Sequence, residues 1–215
     1  LCRSSAASDV YKRQPYCCGR TYLSAGMVDK ARAEAERLVT ALYPLARSGV
    51  RIVGLEPSCT LALRDEVPAL LGTAQAEAVA EATLTFAELI EADRPDLPVP
   101  AAASRRPVKL HGHCHQKAFD LVKPAEAVLR DIAGAEVEVI ETSCCGMAGA
   151  FGYGRDTYDV SIRMAEASLL PAVRAAPDDA AIVADGTSCR CQIDDGTSRE
   201  AVHLARHLDR LISGS

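Results

Sequence analysis

Tryptophan is absent from this chain, and only three Phe and six Tyr supply aromatic side chains among 215 residues. Basic blocks are missing as well, and the net charge is -5. The electrostatic stripe and the stacking platform of a nucleic-acid binder are therefore both lacking, and no nucleic-acid partner is expected. No apolar run approaches the roughly 20 residues that span a bilayer, because charged residues interrupt every hydrophobic segment. Insertion into a membrane is not expected on that pattern, whereas docking onto a membrane partner stays open. At 48% hydrophobic and 25% charged, the chain has the balance of a globular protein with a core for one domain or two small ones.

The opening "LCRSSAASDVYKRQ" has no apolar h-region and so makes no secretory signal. Its polar mixture leads into no periodic pattern and looks like translated sequencing-adapter read-through. Residues 1–14 are accordingly expected to be non-native, with the natural protein extending upstream.

Cysteine is what the chain has in quantity. Past residue 14 there are Cys17, Cys18, Cys59, Cys114, Cys144, Cys145, Cys189 and Cys191. With no secretion signal and a chain long enough to fold without staples, a disulfide framework is not expected. Two of the cysteine pairs are adjacent in sequence, which fits poorly with disulfide geometry between neighbours. Metal-bound thiolates in a reducing compartment fit better.

These cysteines are organised by a repeat. "CCG" occurs at Cys17-Cys18-Gly19 and again at Cys144-Cys145-Gly146. After the first copy comes an amphipathic segment near 24–47, with Met27, Ala31, Leu38, Leu42 and Leu45 on one face, then "VRIVGL" and Cys59 in "EPSC". After the second come "DTYDVSIRMAEASLLPAV", the apolar "AIVAD" and Cys189 in "GTSC". Forty residues separate Cys18 from Cys59, and 43 separate Cys145 from Cys189. One strand-helix unit has been duplicated on this reading.

Upstream of the second copy, "PVKLHGHCH" reads as a strand ending at Cys114, followed by a helix from about Pro124 that carries Val128, Leu129 and Ile132. "EVEVIE" then reads as a strand running into the CCG turn. A single helix is predicted over 74–92, and a closing helix over 198–213 is opened by a capping box of Thr197 and Glu200. The expected organisation is a first half over 15–92, a linker over 93–107 ("DRPDLPVPAAASRRP") and a second half over 108–215. Alternation of strands and helices predicts an α/β fold with mostly parallel sheets, and ligands in such sheets sit beyond the carboxyl ends of the strands. Cys59, Cys114, the Cys144-Cys145 pair and Cys189 each fall just after a predicted strand, and Cys17-Cys18 fall where a strand truncated upstream should end.

Three readings of Cys114, Cys144, Cys145, Cys189 and Cys191 compete. Buried free thiols behave as small hydrophobes. A structural zinc site would want ligands spaced by two to four residues around one tetrahedral ion. An iron-sulfur cluster spreads several irons over a few ångströms, so adjacent thiolates can serve different irons, and cysteine is its usual ligand. The third reading suits the adjacent pair best. Gly146, Gly149, Gly152 and Gly154 would let the backbone turn sharply and aim N–H groups at an anionic cage. His111, His113 and His115 are expected on one strand face as packed or hydrogen-bonded residues, and Glu56, Glu141 and Asp185 as strand-end or capping acids.

The motifs "HGHCHQKA", "ETSCCGMAGAFGY" and "ADGTSCRCQI" resemble the cysteine-rich CCG domain of heterodisulfide reductase. The chain looks closest to the C-terminal part of FAD-linked oxidoreductases of the D-lactate, glycolate and 2-hydroxyglutarate dehydrogenase group. That resemblance implies a 4Fe-4S type cluster held by Cys114, Cys144, Cys145 and Cys189, next to Gly146. Cys191 is a further candidate, because Cys189-Arg190-Cys191 departs by one residue from the family's CxxC. Cys17, Cys18 and Cys59 would be the remains of a site in the first half, where no CxxC closes. The implied function is electron transfer from a flavin, with FAD and ferredoxin-like domains upstream, to a quinone, cytochrome or disulfide acceptor. The implied location is cytoplasmic, or at a membrane through a partner. Alternatives are a thiol-disulfide redox protein of the heterodisulfide reductase kind and a zinc-stabilised interaction module.

Overall fold

A computed structural model describes residues 16–100 and 106–214 of the chain. Residues 1–14 and part of the 93–107 linker thus lie outside the described residues. Along the chain the elements are α1 (Arg20–Ser24), α2 (Val28–Arg47), β1 (Ile52–Gly54), α3 (Pro57–Arg64), α4 (Glu66–Leu71), α5 (Ala74–Ala82), β2 (Thr83–Thr85) and α6 (Phe86–Asp93). They continue with β3 (Pro107–His111), α7 (Cys114–Ala118), α8 (Val122–Ala127), β4 (Glu136–Val139), α9 (Tyr158–Glu166), α10 (Leu169–Arg174), β5 (Ala181–Ala184), α11 (Thr187–Gly196), β6 (Ala201–Val202) and α12 (Leu204–Ser213). A π-helical turn over Val128–Ile132 extends α8, and a 3-10 turn over Phe151–Tyr153 precedes α9. Strands β1 and β2 form a two-stranded sheet, and β4-β3-β5-β6 a four-stranded one.

Two compact units are present. The smaller comprises the described residues of 1–52 together with Ala62–Thr83, and the larger Val53–Leu61 together with Leu84–Ser215.

The smaller unit is helical. Ala35 and Val39 of α2 pack with Leu63, Val67, Ala76 and Val79 into one apolar cluster. The buried stripe of α2 is Ala31, Ala35 and Val39, spaced by four, while Met27 and Leu45 are exposed. Small residues at the closest approach allow the helices to pack tightly, and the larger Leu38 and Leu42 border the cluster. Thr73 caps α5 by accepting from Ala76 N at 3.2 Å.

In the larger unit all three pairings of the four-stranded sheet are parallel: β3 with β4, β3 with β5, and β5 with β6. Alternate residues serve opposite faces. Val108, Leu110, Val137, Val183 and Val202 meet α6, α8 and α12 on one face. Ile182 and Ala184 meet Leu169, Val173 and Ile193 on the other, in a cluster that also takes in Cys145 and Cys189. Helices on both faces of a parallel sheet make this unit doubly wound. From β3 the chain passes to β4 on one side and then returns across β3 to β5 on the other. The carboxyl ends of β3 and β5 therefore flank a topological switch point, where such sheets hold ligands.

Several boundaries differ from the sequence reading. The helix expected over 74–92 is two helices, because the β-branched Thr83 and Thr85 form β2, and Thr85 opens α6 with a full capping box to Glu88. The closing helix begins at Leu204, not 198. His203 caps it, accepting at Nδ1 from Ala205 N at 3.0 Å, whereas Thr197 ends α11 and Glu200 pairs with Arg210. Strand β3 stops at His111, three residues short of Cys114, since Gly112 and His113 turn the chain into α7.

Candidate metal centre

Three strand ends deliver the sulfurs. After β3, His113 accepts at Nδ1 from His115 N (3.2 Å) and donates its own N–H to Gln116 Oε1 (2.9 Å). This cap starts α7 at Cys114, so His111, His113 and His115 do not share a strand face as expected. His111 closes β3, His113 caps the helix and His115 lies within it. After β4, Ile140 N donates to Leu110 O at 2.8 Å, and the chain then turns through Cys144-Cys145-Gly146. Gly146 has φ +87°, and a Cβ there would stand 2.2 Å from Ser161 O. Its N–H donates to Cys144 Sγ at 3.3 Å. Gln192 of α11 clamps the same place by donating to Ser161 Oγ (3.2 Å) and Ser161 O (3.3 Å). After β5, Gly186 leads into α11, and a Cβ at this position would meet the His113 ring at 2.5 Å and Cys189 Sγ at 3.2 Å.

The four thiols lie in a row. Cys114 interacts with Cys144, Cys144 with Cys145, and Cys145 with Cys189. Cys114 is exposed, Cys144 half-buried, Cys145 4% and Cys189 2% exposed, so the row descends from solvent into the core. Ionisation alternates along it. Cys144 is held far below the ordinary thiol range, first by donation from Cys114, then from Cys145 and from Gly146 N–H. Cys189 is pulled down to about 5, first by Cys145, with His111 adding to the effect. Cys114 is driven up by Cys144, and Cys145 by Cys144 and Cys189, because each keeps its proton for a neighbouring thiolate.

Around the row stand polar groups that hold its supports. Asp185, 6% exposed at the end of β5, accepts from Gln116 Nε2 at 2.9 Å and from Leu204 N at 3.0 Å. Glu56 accepts from Thr187 N (2.9 Å) and Thr187 Oγ1 (2.8 Å), which satisfies the start of α11, and from Ser58 Oγ at 2.8 Å. Burial opposes its charge, yet these bonds outweigh burial and keep Glu56 below the usual carboxylate range. Capping acids were expected at both positions. Lys117 donates from Nζ to Thr142 O and Thr142 Oγ1, each at 2.6 Å. Burial lowers its pKa, with the four sulfurs nearby opposing that shift. Neither Lys117, Thr142 nor Gln116 was singled out from the sequence, and only proximity to Cys114 and the CCG motif could have flagged them.

The other cysteines fall differently. Cys191 lies two positions from Cys189 on α11, about 200° around the helix, and its sulfur pairs with the Tyr153 hydroxyl instead of the row. Cys59 is exposed in α3, three residues beyond Glu56. Cys17 and Cys18 belong to the helical unit. Their CCG turn repeats the local geometry of the second: Gly19 has φ +79°, its N–H donates to Cys17 Sγ at 3.4 Å, and a Cβ there would stand 2.7 Å from Ala31 O.

Among the described residues no three His, Cys, Asp or Glu are gathered as ligands of a single metal ion. A row of sulfurs matches a group with several metal atoms better than one tetrahedral ion. No described helix is long and apolar enough to cross a membrane.

The family model of the cysteine-rich CCG domain matches residues 108–194. One subunit of the anaerobic glycerol-3-phosphate dehydrogenase of Escherichia coli (strain K12) is 28% identical over 195 residues, which cover 87% of this chain and 47% of that protein. D-2-hydroxyglutarate dehydrogenase of the same strain is 29% identical over 177 residues, covering 81% of this chain and 17% of that protein. Its namesake from Pseudomonas putida is 29% identical over 192 residues, with 88% and 18% covered. The chain thus spans about half the length of the first relative and under a fifth of the other two. No solved structure matches the chain. Residues 108–194, with the thiol row at their strand ends, thus match the cysteine-rich CCG domain, in a chain similar to part of each of these dehydrogenases.

Proposed function

We propose that this chain is the electron-transfer part of a flavin-dependent dehydrogenase, with Cys114, Cys144, Cys145 and Cys189 holding an iron-sulfur cluster. The contiguous row of four thiols at a topological switch point carries the reading. When bound, such a cluster supplies one-electron transfer. The chain's own residues prepare the site. Cys144 and Cys189 are already disposed to be thiolates, which is the form that binds metal. Gly146 N–H offers a donor to sulfur, and Lys117 offsets negative charge. Cys145 and Cys189 exclude water at the inner end.

The relatives are named for glycerol 3-phosphate and D-2-hydroxyglutarate, both of which carry a secondary alcohol. A 2-hydroxy acid or a similar secondary alcohol is the proposed substrate class of the whole enzyme, oxidised at a flavin outside these residues. Flavin and ferredoxin-like domains are the proposed donors, and a quinone, cytochrome or disulfide the proposed acceptor. The cytoplasm is the proposed location, with any membrane attachment made through a partner.

Anaerobic reconstitution of the full chain with iron and sulfide tests the site. Uptake of both, visible charge-transfer absorption and a paramagnetic signal on redox change are expected. A chain that takes up zinc with no iron, and unfolds on chelation, would move the reading to a zinc-stabilised module. The exposure of Cys114 favours one second reading, in which a substrate disulfide reaches the cluster and leaves as two thiols after two electrons and two protons. Under this reading Cys144→Ser and Cys145→Ser abolish disulfide reduction, and intact turnover in both would reject it.

A further inference from the structure

His111 is 1% exposed at the end of β3, and its Nε2 is buried without a hydrogen-bond partner among the described residues. A buried polar nitrogen left unused costs stability, so its direction matters. Strand parity sets that direction. Val108 and Leu110 face the helices α6, α8 and α12, so His111 faces the opposite side, where Cys145 and Cys189 are buried. In the β3–β5 register His111 stands beside Ala184, whose strand leads directly to Cys189. Strand parity and register thus put the ring on the face of the sheet where Cys189 is buried.

The opposite side of the ring bears on where the proton resides. Thr142 Oγ1 lies 3.2 Å from His111 Nδ1 and 2.6 Å from Lys117 Nζ. An ammonium only donates, so Thr142 Oγ1 accepts from Lys117. Lys117 fills one of the two acceptor positions of that oxygen, and donation of the threonine hydroxyl hydrogen to His111 Nδ1, in place of a second acceptance, would leave the ring proton on Nε2.

We propose that Lys117 and Thr142 are positioning residues that lock His111 in its Nε2–H tautomer, so that this N–H, unpartnered among the described residues, is presented to the sulfur of Cys189 and raises the reduction potential of the group held there. Hydrogen bonds to ligating sulfur, and the outer residues that orient their donors, are recognised levers on metal-site potential. Lys117 and Thr142 are 25 residues apart in sequence and meet only because β3 and β4 pair. The effect on potential rests on the iron-sulfur reading, whereas the tautomer does not.

The test therefore has two arms, with Thr142→Val as the near-isosteric loss and Thr142→Ser as the conservative rescue. In the metal-free chain, long-range 15N–1H correlations of the His111 imidazole should show a bare Nδ1 and a protonated Nε2 in wild type and Thr142→Ser, and a mixture in Thr142→Val. A protonated Nδ1 in wild type overturns the proposal. In the reconstituted chain, Thr142→Val and Lys117→Met should bind as much iron as wild type, yet show at least a tenfold lower reduced-to-oxidised ratio at fixed potential, about 59 mV for one electron. Thr142→Ser should match wild type. Equal potentials in wild type and Thr142→Val at equal iron content overturn the proposal. If wild type itself binds no iron, the iron-sulfur reading fails, and the tautomer measurement alone decides the relay.

Discussion

Two glycines of the CCG loop separate backbone strain from steric collision. Gly146 and Gly149 both have positive φ, +87° and +66°, so an alanine at either position pays the left-handed penalty of about 1–2 kcal/mol. They differ in surroundings. A Cβ at Gly149 meets nothing within 4 Å, whereas one at Gly146 would stand 2.2 Å from Ser161 O and 3.3 Å from Gln192 Nε2. The first of these neighbours is backbone of α9 and cannot rotate away, so the turn or the helix has to shift by roughly 1 Å. Overpacking of this kind adds about 1–3 kcal/mol. Gly146→Ala should then destabilise the metal-free chain by about 2–5 kcal/mol and Gly149→Ala by about 1–2 kcal/mol, read by urea unfolding. Displacement of Cys144 and Cys145 should cost Gly146→Ala most of its iron on anaerobic reconstitution, while Gly149→Ala loads nearly as wild type. Equal stability and equal iron in the two variants would refute the claim that this turn is fitted against α9.

Other expectations follow from the same geometry. Cys191→Ser should retain iron at the wild-type level, because its partner is Tyr153, whereas Cys189→Ser should weaken iron retention by roughly tenfold or more, measured by chelator competition. Asp185→Ala strips the acceptor from Gln116 Nε2 and Leu204 N, two donors at about 1–3 kcal/mol each, and unfolding by denaturant should reveal a loss of about 2–6 kcal/mol. His207 is pulled from 6.5 down to about 4, first by burial and then by Arg210. Its neutral form is the stable one in the fold, so its contribution is complete above pH 6.5 and is lost as pH falls towards 4. The loss amounts to about 3 kcal/mol, at 1.36 kcal/mol per unit. His207→Leu should flatten that part of the stability profile, and an unchanged slope would discount the burial argument.

Strand positions were legible because short apolar runs bounded by polar residues have few alternatives. "EVEVIE" and "AIVAD" became β4 and β5, and the parallel sheet followed from their alternation with helices. The cysteine motifs and their common strand-end placement could be read for the same reason. Helix continuity over 74–92 was not legible, since Thr83 and Thr85 had to be weighed against a strong helical flank and the pairing of β2 with β1 is nonlocal. Cys191 was included on motif spacing, and helical rotation of α11 carries it away from Cys189. The contact of Lys117 with Thr142, and of both with His111, has no sequence signature, because it exists only once β3 and β4 are in register.

The strand order also sets a timetable. Cys114 and the CCG turn are brought together by the β3–β4 pair, but Cys189 arrives only when β5 takes the place on the far side of β3, 75 residues after Cys114 in the chain. Until then that edge of β3 is an open template with three of the four thiols already beside it. On the proposed iron-sulfur reading, a full set of four sulfurs exists only once β5 is paired with β3. A chain stalled or cut ahead of Ala181 would present three of the four thiols without the last, which makes the arrival of β5 the event that closes the site.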